Sequence, residues 1–227
     1  MKIIVGVITL NEEKNIGLFC ERHDFADRII VSDGGSTDNT LEIVKKYPHT
    51  ESYFFPEQRI IPHDPVGFIN PEGGHLNSLL EIIYQQKPDW IILSDADQFP
   101  NKPLQRDIRT IMENTGAPAI FTYRLNLWGK DMYFPKMMPL DWTVMWAFKG
   151  TEKIWFEDKE IHPKIFGIPQ ANMTLGLPYS LVHNMFSDEE TVERKLKHYE
   201  AWGYPQVHPL HWEYAPPEEL PEWAQVW

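Results

Sequence analysis

Residues 90 to 99 read "WIILSDADQF", an apolar run that stops on two aspartates one residue apart, Asp95 and Asp97. Short apolar runs of this kind build buried strands. Residues i and i+2 of a strand point to the same face. Both carboxylates are therefore expected to reach one divalent cation with hard oxygen ligands, Mn2+ or Mg2+, with phosphates and waters completing its sphere. The competing reading is a turn, since Asp-Ala-Asp-Gln also suits a cap with incidental acidity. These residues alone weigh the two readings evenly.

Working outward from this run, the first hundred residues alternate strand and helix signals. Strands are expected at 2–9, 28–33, 51–55 and 89–94, and helices near 12–22, 40–47 and 74–86. Strands nearly continuous in Ile and Val, separated by helices, predict an α/β fold with a mostly parallel sheet covered on both faces. A helix near 103–114 and a strand near 118–125 continue the pattern. The stretch 56–73 reads as an ordered loop at the sheet edge. Ser187 and Glu190 have capping-box spacing for a later helix, and Glu190–Arg194 and Glu193–Lys197 are i,i+4 pairs on it. Eight of the nine tryptophans follow residue 120. The Pro/Trp-rich tail, 206–227, is expected to wrap the domain or to contact a second subunit, which leaves a homo-oligomer open.

Ligands of open parallel sheets bind beyond the carboxyl ends of the strands. Three such ends carry polar clusters here: "TLNEEKN" (9–15), "SDGGSTDNT" (32–40) and "SDADQ" (94–98). Asp33 ends the second strand, and an acceptor there suits the donor edge of a base better than an anion. The alternative is a turn in which Asp38 or Asn39 caps the next helix.

In this order and spacing, "VITLNEEKNI", "IIVSDGGSTDNTLEIVKKY" and "WIILSDADQF" resemble the family-2 glycosyltransferases of the nucleotide-sugar-binding A-type (GT-A) fold. "YRLNLWGKDMYFP" is similar to the family's Arg-x-Asn…Gly segment. "LVHNMFSDEETVERKLKHY" resembles a pattern Leu-x-His…Ser-x-Glu-Glu…Lys-Leu-x-x-Tyr of the branch containing lipopolysaccharide-core sugar transferases. The resemblance covers roughly residues 2 to 200. It implies a domain of residues 1–205, with 1–100 taking the nucleotide and 101–205 facing the acceptor, to which the composition adds an aromatic-rich C-terminal extension. Ile8, Thr9, Leu10, Glu12 and Asp33 would line the nucleotide pocket, with His75 and Asp95 near the diphosphate. Asp95, Asp97 and His183 would form the metal site, Asp97 being the direct ligand.

The resemblance further implies inverting transfer from a nucleoside-diphosphate sugar, a UDP-sugar first, to an acceptor glycan, lipid-linked sugar or other hydroxyl. Such a reaction needs a carboxylate base. Asp141 ranks first, with Glu157, Asp158 and Glu160 behind it. "IHPK" (161–164) resembles a Val-His-Glu motif in which Pro163 replaces the Glu. Trp128, Trp142 and Trp155 are candidate acceptor contacts by stacking. His208 and His211 form a weak pair with no cysteine partner.

A net charge of −12 argues against a general nucleic-acid surface. One cysteine, Cys20, excludes an internal disulfide and points, with no leader segment read, to the cytoplasm; peripheral membrane attachment stays open. Two other readings are a catalytically silent nucleotide-sugar-binding module and a nucleotidyltransferase. The second would want a basic Gly-rich loop where "TLNEEKN" stands.

Overall fold

The computed structural model describes residues 1–60, 67–128, 132–133, 143–159, 162–186, 188–201, 218–219 and 222–224. Its first half is built on β1 (Ile3–Thr9), α1 (Ile16–Arg22), β2 (Arg28–Asp33), α2 (Thr40–Val44) and β3 (Thr50–Phe54). A two-residue hairpin, β4 (Arg59–Ile60) and β5 (Phe68–Ile69), precedes α3 (Glu72–Gln85) and β6 (Trp90–Leu93). Then follow β7 (Gln98–Pro100), α4 (Lys102–Asn114), β8 (Ala119–Trp128), β9 (Met132–Tyr133) and β10 (Thr143–Lys149). The short strands β11 (Trp155–Phe156), β12 (Ile165–Phe166) and β13 (Met173–Thr174) lead to β14 (Ser180–Phe186), α5 (Glu189–Ala201) and β15 (Glu218–Glu219).

The main sheet runs β15-β9-β8-β10-β6-β1-β2-β3. β6, β1, β2 and β3 are mutually parallel, as the Ile/Val runs predict. β10 then enters antiparallel between β6 and β8, so the sheet is mixed. β14 adds to β8 in parallel and pairs β7 antiparallel.

Alternation along the parallel strands splits the core in two. Ile3, Val5, Val7, Ile29, Val31 and Ile92 face one side with α1 and α4. Ile4, Ile30 and Ile91 face the other with Leu79, Leu80 and Ile83 of α3. Each fully buried aliphatic side chain contributes roughly 1.5–3 kcal/mol, which is why these strands need apolar residues on both faces. Gly6 interrupts the run because a Cβ there would lie 2.6 Å from Cδ1 of Ile83. Cys20 is fully buried among these side chains, and burial, with Glu21 nearby, pushes its thiol up to about 12. It is packing and no nucleophile.

Some boundaries differ from the sequence reading. α1 starts at Ile16, and α2 ends at Val44, shorter than periodicity suggests. α4 is capped by Asn101, whose side chain accepts from the Leu104 amide at 3.1 Å. Ser187 lies outside the described residues. Asp188 accepts from the Thr191 amide at 2.8 Å at the start of α5. Of the anticipated helix pairs, Glu193–Lys197 forms at 3.9 Å; the Arg194 side chain lies outside the described set, and Glu190 also meets Lys14 at 2.7 Å. Residues 206–217 of the tail lie outside the described set. Beyond them Glu218 and Glu219 pair with β9, and Ala224 is fully buried in the core. No helix among the described residues is long and apolar enough to cross a membrane.

Candidate active site

The loops that leave β1 and β2 are laced together at the carboxyl edge of the sheet. The Asn11 amide donates to Ser36 Oγ, and the Thr37 amide donates back to Asn11 Oδ1, both at 2.8 Å. The Glu12 amide donates to Thr40 Oγ1 at 2.8 Å, and Asn39 Nδ2 donates to Glu13 at 2.8 Å. Asp33, 2% exposed, anchors this floor. Its carboxylate accepts from Thr9 Oγ1 at 3.0 Å, from Ser36 Oγ at 2.5 Å, and from the Gly35 and Ser36 amides at 2.9 and 2.8 Å. The turn reading of Asp33 is thus realised, and a base edge would have to share or replace the Ser36 contact. Asp38, whose carboxylate accepts from the Thr40 amide at 3.0 Å, opens α2.

His75 stands behind this floor. It is 2% exposed, bonds Ser32 Oγ through Nε2 at 2.9 Å and stacks on Phe55 at 4.2 Å. Burial lowers its pKa to about 4. It is therefore a neutral ring beneath the sheet edge near pH 7.

β6 stops at Leu93, so Asp95-Ala96-Asp97 is a turn between β6 and β7 and strand alternation does not apply to it. The Gln98 amide donates to the Asp95 carbonyl at 2.9 Å, and Gln98 Nε2 holds the Asp95 carboxylate. The two aspartates part company chemically. Withdrawal from bulk solvent and the Asp97 charge push the Asp95 carboxyl up, although its side chain is open to the cleft. Burial also opposes ionisation of Asp97, but Lys195 and His183 outweigh it and hold this carboxyl well below its ordinary range. Lys195 Nζ donates to Asp97 Oδ2 at 2.8 Å, and His183 Nε2 lies 3.3 Å from Oδ1.

His183 Nδ1 lies 2.8 Å from Asn126 Oδ1, to which it donates. In the neutral ring this bond turns the Nε2 lone pair toward Asp97, and an imidazole lone pair facing a carboxylate needs a cation between them or a proton on the ring. A site with one carboxylate and one imidazole, completed by phosphate and water, suits Mg2+ or Mn2+. Among the described residues no group of three such side chains converges, so the ligand would supply most of the sphere.

Beside Asp95 opens a cavity of about 320 Å³, walled by Glu72, Arg124, Trp146, His162 and Pro163. Arg124 comes from β8, two residues before Asn126, and its buried Nε has no hydrogen-bond partner among the described residues. Glu72 opens α3, and its Oε2 accepts from the His162 amide at 2.8 Å. Burial first, then the Asp95 charge, push the Glu72 carboxyl up to about 7.

The family model for "Glycosyl transferase family 2" matches residues 4–168, well over half of the chain. The chain belongs to glycosyl transferase family 2. Uncharacterized proteins of Mycobacterium tuberculosis and Mycobacterium bovis are each 26% identical to this family-2 chain over 185 residues. The match takes 77% of this chain and 44% of theirs, so the chain spans less than half the length of these curated relatives. Among solved structures, S. aureus TarS 1–349 shares the fold with a TM-score of 0.56 at 17% identity, over 93% of this chain and 68% of that one. Its complex with UDP-GlcNAc gives 0.55 at 16%, over 88% and 64%. The GT-A architecture anticipated from the sequence is thereby shown.

The structure of this family-2 chain brings Thr9 and Asp33 together on the floor, with Glu12 in the laced loop, and joins Asp97 to His183. Ile8 and Leu10, both half-buried, flank Thr9. Glu157 and Asp158 do not line the cavity. Glu157 sits against the first turn of α3, and Asp158, largely exposed, lies 3.6 Å from Arg59. Asp141, Glu160, Trp142, His208 and His211 lie outside the described residues, as do the surroundings of the Trp128 side chain. Trp155 is half-exposed and stacks on Phe166 at 5.4 Å. Lys195 and Glu72 were missed as site residues. Lys195 is the lysine of the Lys-Leu-x-x-Tyr pattern, which was its only signal.

Proposed function

We propose that this chain transfers a sugar with inversion from a nucleoside-diphosphate sugar, most simply a UDP-sugar, to a hydroxyl of an acceptor glycan or lipid-linked sugar. The observation that carries this reading is the convergence of His183 and Lys195 on Asp97, two residues from the cavity-lining Asp95, in a family-2 chain. The downstream His…Lys-Leu-x-x-Tyr pattern supports the branch containing lipopolysaccharide-core sugar transferases.

The laced loops after β1 and β2 receive the base, and Asp33 orients it by accepting a hydrogen bond. Asp97 and His183 would hold Mn2+ or Mg2+. The bound cation would neutralise charge building on the departing diphosphate. Asn126 fixes the ring of His183 so that Nε2 stays a ligand. Lys195 keeps Asp97 ionised and adds a second positive charge beside the leaving group. Arg124 offers guanidinium donors toward the cavity, where the sugar or acceptor lies.

Calorimetry with UDP tests the reading. Wild type is expected to bind more tightly with manganese than with EDTA, and Asp97→Ala to lose that difference. Undiminished manganese stimulation in Asp97→Ala would remove the metal site from the proposal. A wild type that binds UDP but neither hydrolyses nor transfers any donor would favour the silent-module reading.

A further inference from the structure

We infer that Glu72 is the catalytic base, taking the proton from the hydroxyl that attacks the donor sugar; this rests on the transfer reading above. Of the described residues that line the cavity, only Glu72 and Asp95 are carboxylic acids. Asp95 is tied back to Gln98 in the turn that carries the diphosphate side of the site. Glu72 comes from a different element, the start of α3. Its Oε2 is held by the His162 amide, and Oε1 has no hydrogen-bond partner among the described residues. One oxygen is thus positioned and the other is available to a hydroxyl.

The sequence around His162 makes the same point from the other side. Where the related motif carries His-Glu, this chain has His162-Pro163, and Pro163 lines the cavity without a carboxylate. Glu72 brings one to the same cavity through its bond to His162. The placement is built in. The Gly73 amide donates to the Lys159 carbonyl at 3.0 Å, and a Cβ on Gly73 would lie 1.8 Å from the Glu157 carbonyl oxygen. Only glycine lets the segment 157–159 close on the first turn of α3 and present His162 to its neighbour.

In the step itself, the acceptor oxygen forms a bond to the anomeric carbon as the bond from that carbon to the diphosphate oxygen breaks. The electron pair of the broken bond leaves with the nucleoside diphosphate. The hydroxyl proton passes to Glu72 Oε1 and then to solvent. The bland alternative is that Glu72 merely satisfies the His162 amide at a helix start.

The full chain and its Glu72→Gln and Glu72→Ala variants are compared in two assays. Calorimetry with UDP and manganese is expected to give dissociation constants within about twofold of wild type. Release of UDP from a panel of UDP-sugars, with water as acceptor, is expected to fall on the order of 100-fold or more in both variants. Azide needs no deprotonation, so it is expected to restore cleavage in Glu72→Ala and to yield the inverted glycosyl azide, which a purely structural role would not produce. If Glu72→Ala fails to fold, Glu72→Gln carries the test, because its amide oxygen can still accept from His162. Glu72→Gln turnover within threefold of wild type, a folded Glu72→Ala that azide leaves unchanged, or a wild type that binds UDP yet cleaves no donor would each overturn the assignment. Failure of wild type to bind UDP at all would instead sink the transfer reading beneath it.

Discussion

Glu72 and Asp97 are acids that each interact with the Asp95 charge, and their surroundings give them opposite pH signatures. Asp97 lies below its ordinary 3.8, so its pairing with Lys195 and His183 stabilises the fold above that pH and is lost as the carboxylate is protonated in acid. Glu72 lies above its ordinary 4.5, near 7, so the native state keeps a proton that the unfolded chain has shed. The stability it contributes is complete below about 4.5 and declines as pH rises toward 7. Glu72→Gln should therefore stabilise the protein at pH 8, by on the order of 1 kcal/mol after discounting for partial exposure, and leave pH 4 stability nearly unchanged. Denaturant melts at the two pH values check this, and equal shifts at both would contradict it. The same ionisation should make turnover rise through about pH 7, in a setting where Asp95 opposes the charge and Lys159 and the His162 amide favour it. That limb should vanish in Glu72→Gln.

Elements explain which parts of the site were legible. Doubly buried strands read as unbroken Ile/Val runs, so β1, β2 and β6 were visible, and with them the loops at their ends. For the aspartate pair the strand and turn readings stayed evenly weighed, because nothing in "SDADQ" marks the strand's end at Leu93, and the structure forms the turn. Lys195 read as one cation among several on a solvated helix. Glu72 was hidden in "NPEGGH", which reads as loop, whereas α3 begins at Glu72 with Gly73 and Gly74 inside it. Glycines that a helix would ordinarily avoid were the signal of a close approach. Gly73→Ala should accordingly lower stability by roughly 1–3 kcal/mol through overpacking and reduce turnover by moving Glu72. A variant of wild-type stability and turnover would show that the 157–159 segment yields freely.

At the scale of the molecule, the sequence could not announce that β10 enters between β6 and β8, since its partners come from distant stretches running the other way. This reversal puts the parallel strands β1 to β3 and the later strands β8 and β10 on either flank of β6, whose end leads into the Asp-x-Asp turn. Helix α5 joins those flanks from the chain's far end. Removing it after Phe186 should abolish manganese-stimulated UDP binding, because Lys195 leaves with it; retained binding would reduce α5 to a scaffold.

The helix α5 is also fastened in an unusual way. Among its described side chains only Thr191 is buried, while charged contacts tie its start to Lys14 and its middle to Asp97. A latch made of ions responds to electrolyte more than one made of oil. Added salt screens the exposed Lys14 contacts first, so protease cutting near α5 should quicken with sodium chloride while the sheet stays intact, making the ionic strength of the surroundings a control on how firmly the helix stays docked.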